Sequence, residues 1–236
     1  MSRTKPRHAS RDTAPKAGDA GDRVTSAGID KEQASRRTFD RWAAVFDRSL
    51  ILRALRARAL REVGELSPDD RFLDIACGAG RLVFAAAPQV ERAVGLDLAP
   101  KMIERARSRA DARSDAVEFH VGSVQDLPFG DGEFTVITCT TAFHHFPDPP
   151  AAVTEIARVL APGGRVLLAD MISDTPPIAV TDAVLRRVER GHVRFHESAD
   201  LEAFFSDAGL AVVRTRRALA WTYAFLLATK QREMTL

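Results

Sequence analysis

Hydrophobic residues recur at helical spacing in the N-terminal part of this chain. The first group consists of Phe39, Trp42, Ala43 and Phe46, and the second of Leu52, Leu55, Ala59 and Leu60. Side chains three and four positions apart lie on one face of an α-helix. The pattern therefore predicts a pair of amphipathic helices within residues 31–66.

From position 72 onward the pattern changes to short, nearly continuous apolar runs. These runs occupy residues 72–76, 93–98, 117–121, 134–138 and 165–169. Runs of this length are typical of buried strands in a parallel sheet. Helix-length amphipathic stretches lie between them, including residues 100–110 and 151–160. This alternation of strand and helix predicts an α/β fold with a Rossmann-like, doubly wound sheet.

The C-terminal part departs from this alternation. Residues 210–218 and 221–229 are two strand-like runs with too few residues between them for a helix. A parallel pair of strands needs a crossover of about a dozen residues or more, so these two runs are expected to form an antiparallel hairpin. With the five preceding runs they complete a mostly parallel, seven-stranded sheet.

Residues 1–30 follow neither hydrophobic pattern. They consist mainly of Arg, Lys, Ala, Gly, Ser and Asp and lack the apolar core of a signal peptide. Asp12, Asp19 and Asp22 also argue against a transit peptide, which is poor in acidic residues. We therefore expect a disordered tail, followed by a single domain over residues 31–236, in a cytoplasmic protein.

Composition and charge narrow the range of partners. Lys and Arg total 34 against 32 for Asp and Glu, and the formal net charge of +2 gives no reason to expect nucleic acid. No apolar run reaches the roughly 18 residues that a membrane-spanning helix requires. Cys77 and Cys139 have no neighbouring cysteine, which predicts structural thiols and no metal site. A monomer and a homodimer both remain open.

The segment around Gly78 and Gly80 carries the clearest functional signal. It follows the first predicted strand and precedes a helix that begins at Arg81. Glycines at such a turn let the backbone approach a ligand closely. Asp97 ends the second predicted strand, seventeen positions beyond Gly80 (97 − 80), where a carboxylate can accept both hydroxyl hydrogens of a ribose. Strand, loop, helix and acid together predict a nucleotide site.

One interpretation of this site is an NAD-dependent oxidoreductase. The dinucleotide-binding pattern has a third small residue that lets the helix pack closely, but Val83 stands at that position here. The chain also leaves no length for a separate substrate domain. Both observations weaken the oxidoreductase interpretation.

Five segments together resemble the class I S-adenosylmethionine-dependent methyltransferases. They are FLDIACGAG at 72–80, GLDLAP at 95–100, VGSVQDLPF at 121–129, FHHFPDP at 143–149 and IARVLAPGGRVLLAD at 156–170. The branch with the greatest similarity contains the ubiquinone and menaquinone C-methyltransferases and many natural-product methyltransferases. The resemblance covers the chain from about Phe39 to the C-terminus, and it implies S-adenosylmethionine as cofactor.

The resemblance also implies a set of cofactor-binding residues. Gly78 and Gly80 would face the methionine and ribose portions, in a loop that also contains Asp74 and Ala76, and Asp97 would hold the ribose. The adenine would lie near Leu98, Met102, Ser123, Val124 and Asp126. Many relatives have an acid in place of Ser123, so Asp126 is a second candidate for the adenine amine. Thr140 would lie close to the sulfonium end.

His144, His145 and Asp170 are the candidate catalytic residues. The two histidines follow the fourth predicted strand and Asp170 ends the fifth, so all three belong to the edge where such sheets bind ligands. A hydroxyl or carbon acceptor must lose a proton, and a histidine oriented by a carboxylate is suited to remove it. The alternative is that one of the rings simply packs against the loop or caps it.

Two segments outside the sheet are expected to cover the substrate cavity. They are the helices of residues 31–66 and an insertion over residues 171–200, in which Arg194, Phe195 and His196 could reach the substrate. A small organic acceptor is the expected partner, with methylation on O, N or C left open. Two alternatives to methyl transfer also remain: a non-catalytic cofactor-binding protein, and a protein that uses S-adenosylmethionine to steer a different reaction.

Overall fold

The computed structural model describes residues 33, 34, 36, 37, 49–113, 117–189, 191–219 and 221–232. The predicted tail and the predicted helix through Phe39, Trp42, Ala43 and Phe46 lie outside these residues. The strands are β1 (Arg71–Ile75), β2 (Arg92–Asp97), β3 (Glu118–Val121), β4 (Phe134–Thr140), β5 (Leu160–Met171), β6 (Leu210–Ala218) and β7 (Tyr223–Lys230). The helices are α1 (Leu50–Glu62), α2 (Arg81–Ala86), α3 (Pro100–Arg113), α4 (Pro149–Val159), α5 (Pro176–Val188) and α6 (Ser198–Asp207).

The strands form one seven-stranded sheet in the order β3-β2-β1-β4-β5-β7-β6. The first five strands pair in parallel, whereas β7 is antiparallel to both β5 and β6. This confirms the predicted fold class, including the C-terminal hairpin. The last strand begins at Tyr223 rather than at residue 221, because Leu219 and Trp221 have left-handed backbone angles (φ 47° and 72°) and belong to the turn.

Neighbouring residues in each central strand point to opposite faces of the sheet, and both faces are buried. Leu73 and Ile137 pack on one face, in a cluster that includes residues from α4 and α6. Phe72 and Val136 lie in a second cluster with residues from α1 and α2. Burial on both faces explains why the strands are continuous apolar runs rather than alternating ones.

The order of the strands places the ligand edge of the sheet. The chain continues from β1 to β2 on one side, while β4 pairs with β1 on the other side. The connections that leave β1 and β4 therefore diverge and open a crevice at the carboxyl ends of these strands. All three strands run in parallel, so their final residues meet at this crevice.

Candidate functional site

A cavity of about 310 Å³ lies at the carboxyl ends of β1, β2 and β4. Its volume is at the lower end of the range for small-molecule sites, about 300 to 1,000 Å³. The structure brings ten of the predicted cofactor-binding and catalytic residues together in its wall. These residues are Ala76, Gly78, Asp97, Leu98, Met102, Ser123, Val124, Thr140, His144 and His145.

Asp97 holds the glycine loop after β1 in place. Its Oδ2 accepts a hydrogen bond from the Gly78 backbone N–H at 2.8 Å, and its Oδ1 accepts one from the Ala99 N–H at 2.8 Å. A carboxylate has about four acceptor sites, so it has the capacity to accept hydroxyl hydrogens in addition. Asp97 is therefore both a brace for the loop and an acceptor in the cavity wall.

Left-handed backbone angles shape the turn after β1. Ala76 and Gly78 have φ values of 54° and 55°. Glycine adopts this conformation without a steric penalty, whereas alanine at position 76 is held there by its surroundings, as is common at functional sites. At Gly78 the nearest atom to an added Cβ, apart from those of its chain neighbours, would be the Met102 Sδ at 4.0 Å. The loop thus presents open space to the cavity.

Gly80 lies in a close-packed position that the sequence did not reveal. It does not contribute to the cavity wall, and its φ is 79°. A Cβ at this position would lie 2.6 Å from Cζ of Phe119 and 3.0 Å from Cε2 of Phe84. The direct requirement for glycine at position 80 is therefore the close packing of the loop against two aromatic rings.

Asp74 lies behind the cavity wall rather than in it. It is 2% exposed, and its Oδ1 accepts a hydrogen bond from the Thr138 hydroxyl at 2.7 Å. Burial raises the pKa of Asp74 to about 7, against the opposing effect of the Thr138 hydrogen bond. Asp74 links β1 to β4 directly beneath the glycine loop.

The predicted adenine-binding residues separate into two groups. Leu98, Met102, Ser123 and Val124 line the cavity. Asp126 is exposed and is absent from the wall, and its backbone N–H donates to the Ser123 carbonyl at 3.4 Å. The Ser123 hydroxyl accepts a hydrogen bond from the Gln125 N–H at 3.2 Å, so this serine also stabilises the turn after β3.

His144 and Asp170 form a buried pair at the opposite end of the cavity. His144 Nδ1 lies 2.8 Å from Asp170 Oδ1, and the His144 backbone N–H donates to Asp170 Oδ2 at 3.1 Å. Burial alone would raise the pKa of Asp170, but the charge and hydrogen bonds of His144 outweigh it, so this pKa lies below its usual value. The carboxylate therefore stays ionised and fixes the orientation of the ring. The 2.8 Å contact confirms the expectation that the ends of these adjacent strands bring His144 and Asp170 together.

His145 has a different electrostatic environment from its neighbour. Its Nδ1 lies 2.7 Å from the Gly191 carbonyl oxygen. Burial lowers the pKa of His145 to about 3, and the charge of His144 contributes in the same direction. His145 is consequently a neutral ring and a weak base near pH 7.

Sequence reasoning missed several residues of the cavity wall. From α1 these are Leu52 and Arg56, and from the segment 171–200 they are Met171, Leu185, Glu189 and His192. Of the three residues proposed from that segment, Phe195 lines the cavity, whereas Arg194 pairs with exposed Asp200 at 3.2 Å. His196 is buried against Phe143 and Phe204 and is absent from the wall. No local motif marks His192, because the two histidines that it approaches in the cavity, His144 and His145, are distant in sequence.

Two further expectations concern the thiols and the membrane. Cys77 and Cys139 are both free and buried, which agrees with structural thiols, and burial raises the pKa of each. Among the residues that the structure describes, no helix combines the length and the apolar character needed to cross a membrane.

Comparisons with known proteins identify relatives of this chain. A family model described as "Methyltransferase domain" matches residues 73–168. The uncharacterized methyltransferase YcgJ of Bacillus subtilis is 37% identical over 155 residues, which cover 64% of this chain but only 60% of that protein. The demethylmenaquinone methyltransferase of Deinococcus radiodurans is 35% identical over 173 residues, covering 70% of each chain.

The crystal structure of YcgJ shares the fold. It superimposes with a TM-score of 0.67 at 24% identity and covers 76% of this chain and 99% of that one. At this level of identity the structural likeness supports the architecture alone.

Proposed function

Because the chain belongs to the class I S-adenosylmethionine-dependent methyltransferases, we propose that it transfers a methyl group from S-adenosylmethionine to a small organic acceptor. The observation that carries this proposal is the composition of one cavity. Asp97 and the glycine loop form one end of it, and His144, which Asp170 orients from behind, forms the other. The oxidoreductase alternative gains no support from the relatives named above.

The residues present fit the cofactor. Gly78 leaves open space beside Met102, and Asp97 offers acceptor capacity for a ribose diol. Leu98, Met102 and Val124 provide an apolar surface for a base, and Ser123 contributes a polar group beside it. Thr140 lies farther along the same wall, toward His144. S-adenosylmethionine, when bound, supplies an activated methyl carbon, so the protein mainly has to position the acceptor.

His144 is the residue that we assign to proton removal. In the pair with Asp170, the carboxylate accepts a hydrogen bond from the Nδ1–H group, which leaves the lone pair of the neutral ring on Nε2. Nε2 then takes the proton of an acceptor hydroxyl or carbon acid as the methyl group is transferred, and Asp170 stabilises the charged ring. His145 is less suited to this role because its pKa is about 3.

The acceptor end of the cavity favours a largely apolar metabolite. Phe146, Met171, Leu185 and Phe195 contribute to this part of the wall, and most of them come from the segment 171–200. One relative is named demethylmenaquinone methyltransferase, and small quinols are therefore the acceptor class to test first. The cavity wall does not distinguish among O, N and C as the methylated atom.

The cofactor assignment is tested by calorimetry with S-adenosylmethionine and its demethylated product, S-adenosylhomocysteine. We expect both to bind the wild-type protein, and the Asp97→Asn variant to bind about 10- to 100-fold more weakly, since hydrogen bonds to a charged group contribute about 1.5–3 kcal/mol. Asp207→Asn is the matched control, because it makes the same change at an exposed acid outside the cavity wall.

Absence of heat with either nucleoside, or equal affinity in the Asp97→Asn variant, would contradict the cofactor assignment. The reaction itself is tested with methyl-labelled S-adenosylmethionine and a panel of small phenols, quinols and amines. Tight cofactor binding without label transfer to any of them would instead favour the non-catalytic alternative or a different reaction.

A further inference from the structure

Three histidines converge in the wall of the cavity. His144 and His145 follow β4, whereas His192 follows α5, more than forty positions later in the chain. One ring nitrogen from each of the three side chains lies within 4.8 Å of the other two. The ring centroids of His144 and His145 are 4.1 Å apart, and those of His144 and His192 are 5.5 Å apart. The cluster is thus compact although its members are distant in sequence.

Each of the three rings is held from behind by an oxygen that can only accept a hydrogen bond. His144 Nδ1 lies 2.8 Å from the Asp170 carboxylate, and His145 Nδ1 lies 2.7 Å from the Gly191 carbonyl. His192 Nε2 lies 2.8 Å from the carboxylate of Asp182, which is itself buried. Since carboxylates and carbonyls accept, the bonded nitrogen of each neutral ring carries the proton, and the second nitrogen carries the lone pair.

This arrangement matches the outer environment of metal-binding histidines. A histidine that binds a metal nearly always donates its other ring N–H to a carboxylate, a carbonyl or water, which fixes the tautomer and orients the ring. All three histidines of the cluster have such a partner. Two of the partners are buried carboxylates, whose negative charge would compensate a cation.

We propose that His144, His145 and His192 form a binding site for one divalent transition-metal ion of the Zn²⁺ class. Three imidazoles suit zinc, cobalt, nickel or copper, whereas magnesium and calcium prefer oxygen ligands. In a tetrahedral zinc site with Zn–N distances of about 2.05 Å, the nitrogens lie about 3.4 Å apart. From the present upper limit of 4.8 Å, the rings would have to close by about 1.4 Å at most.

The site would keep one position open toward the cavity. Three protein ligands with a fourth position for water or substrate are the pattern of catalytic rather than structural zinc sites. A bound ion would also occupy the lone pair of His144, the same lone pair that we assign to proton removal. Metal and acceptor proton therefore compete for this ring, so metal binding is a means of controlling the reaction.

Cobalt(II) alone is the probe for the test, because its visible absorption reports the ligand geometry directly. The full chain without an affinity tag is titrated with Co²⁺ and then with Zn²⁺. We expect saturation at one ion per chain, an intense tetrahedral-type spectrum, and loss of that spectrum when Zn²⁺ displaces the cobalt. No methyl acceptor is involved, so the result is independent of the proposed methyl transfer.

Two variants remove one ligand each while keeping the hydrogen bond behind it. His145→Asn places an amide near the position of Nδ1, and His192→Gln places one near the position of Nε2. We expect each to weaken Co²⁺ binding at least 100-fold. Asp182→Asn changes the outer partner of His192, although Asp182 also accepts a hydrogen bond from the Phe195 N–H and pairs with Arg186. This variant is expected to weaken binding about 10- to 100-fold. His120→Ala is the matched control, since this half-exposed ring lies on β3 outside the cluster.

Circular dichroism is recorded for every variant, so that an unfolded variant is recognised and the remaining ligand variant decides the question. The proposal is overturned if the wild-type protein gives only an octahedral-type spectrum without saturation. It is also overturned if folded His145→Asn and His192→Gln proteins bind Co²⁺ as tightly as His120→Ala.

Discussion

The two ends of the cavity are built in different ways. At the cofactor end, Gly78 and Asp97 lie at the ends of adjacent parallel strands, and a direct hydrogen bond of 2.8 Å joins them. At the acceptor end, His144 comes from the turn after β4, Asp170 from β5 and His192 from the segment after α5, and buried carboxylates hold the rings of His144 and His192. The cofactor end is thus shaped mainly by the backbone, and the acceptor end by side chains from distant segments.

This difference explains how one fold can keep a cofactor and change its acceptor. The glycine loop depends on strand register and on left-handed backbone angles, which tolerate few substitutions. The acceptor end includes residues such as Leu185 and Phe195 from an insertion outside the sheet, which can vary without disturbing the strands. The first prediction tests whether the two ends are separable, and the other two test what stabilises the cofactor end.

The largest expected effect is on turnover, at the acceptor end. His144→Asn keeps an amide donor toward Asp170 but removes the lone pair of Nε2. Turnover with an acceptor that the wild-type protein methylates should therefore fall about 10²- to 10⁴-fold. The affinity for S-adenosylhomocysteine should remain within about twofold, because the two ends are separate. Radiolabel transfer and calorimetry measure these quantities.

His145→Asn is the control for this prediction. Since the pKa of His145 is about 3, its loss should lower turnover much less than the loss of His144. Unchanged turnover in both variants would rule out catalysis by either histidine. A loss of cofactor affinity in His144→Asn equal to its loss of turnover would instead show that the two ends are coupled.

The second prediction concerns the stability of the cofactor end as a function of pH. Burial raises the pKa of Asp74 to about 7 from an ordinary value of 3.8, so the folded protein holds this proton over a range where the unfolded chain has lost it. The stability from this group is complete below about pH 4 and is lost as the pH rises to about 7. Asp74→Asn should remove this dependence, a change of a few kcal/mol across the range.

Denaturant unfolding of both proteins between pH 4 and pH 8 measures this difference. The asparagine can still accept the hydrogen bond from Thr138, so the variant tests the charge rather than the contact. Parallel pH profiles for the wild-type and variant proteins would contradict a raised pKa at Asp74.

The smallest expected effect separates the two glycines of the loop. Gly80→Ala should lower the free energy of unfolding by about 2–3 kcal/mol, because its Cβ would lie 2.6 Å from Phe119 at a φ of 79°. Gly78→Ala should cost only about 1 kcal/mol, since its φ of 55° is unfavourable but the added Cβ would lie 4.0 Å from the Met102 Sδ. Equal losses in the two variants would contradict a packing role specific to Gly80.

Sequence reasoning predicted the architecture well because the strands are continuous apolar runs. The strand over residues 210–218 was predicted with the observed bounds, while its partner was predicted to begin two positions too early. The left-handed angle of Trp221 caused this error, since an exposed aromatic residue in a turn has the same composition signal as one in a strand.

Within the site, contiguous motifs were easier to interpret than distant contacts. The glycine loop and Asp97 were found because sequence spacing translates directly into neighbouring strand ends. The packing role of Gly80 could not be found, because it depends on Phe119, which lies on β3. Arg56 and His192 were not singled out, although the segments that carry them were expected to cover the cavity, because tertiary packing decides which side chains of these segments face inward.

The sequence by itself determined the succession of strands and helices along the chain, the turn that forms the glycine loop, and the acid at the end of β2. These features follow from local periodicity and backbone preference, which neighbouring residues encode. Only the tertiary structure decided that His144 is the histidine paired with Asp170 and that His145 is neutral. It also decided that His192 joins them across a separation of more than forty positions. The physical reason is that burial and electrostatic environment depend on the packing of segments remote in sequence, which no local pattern specifies.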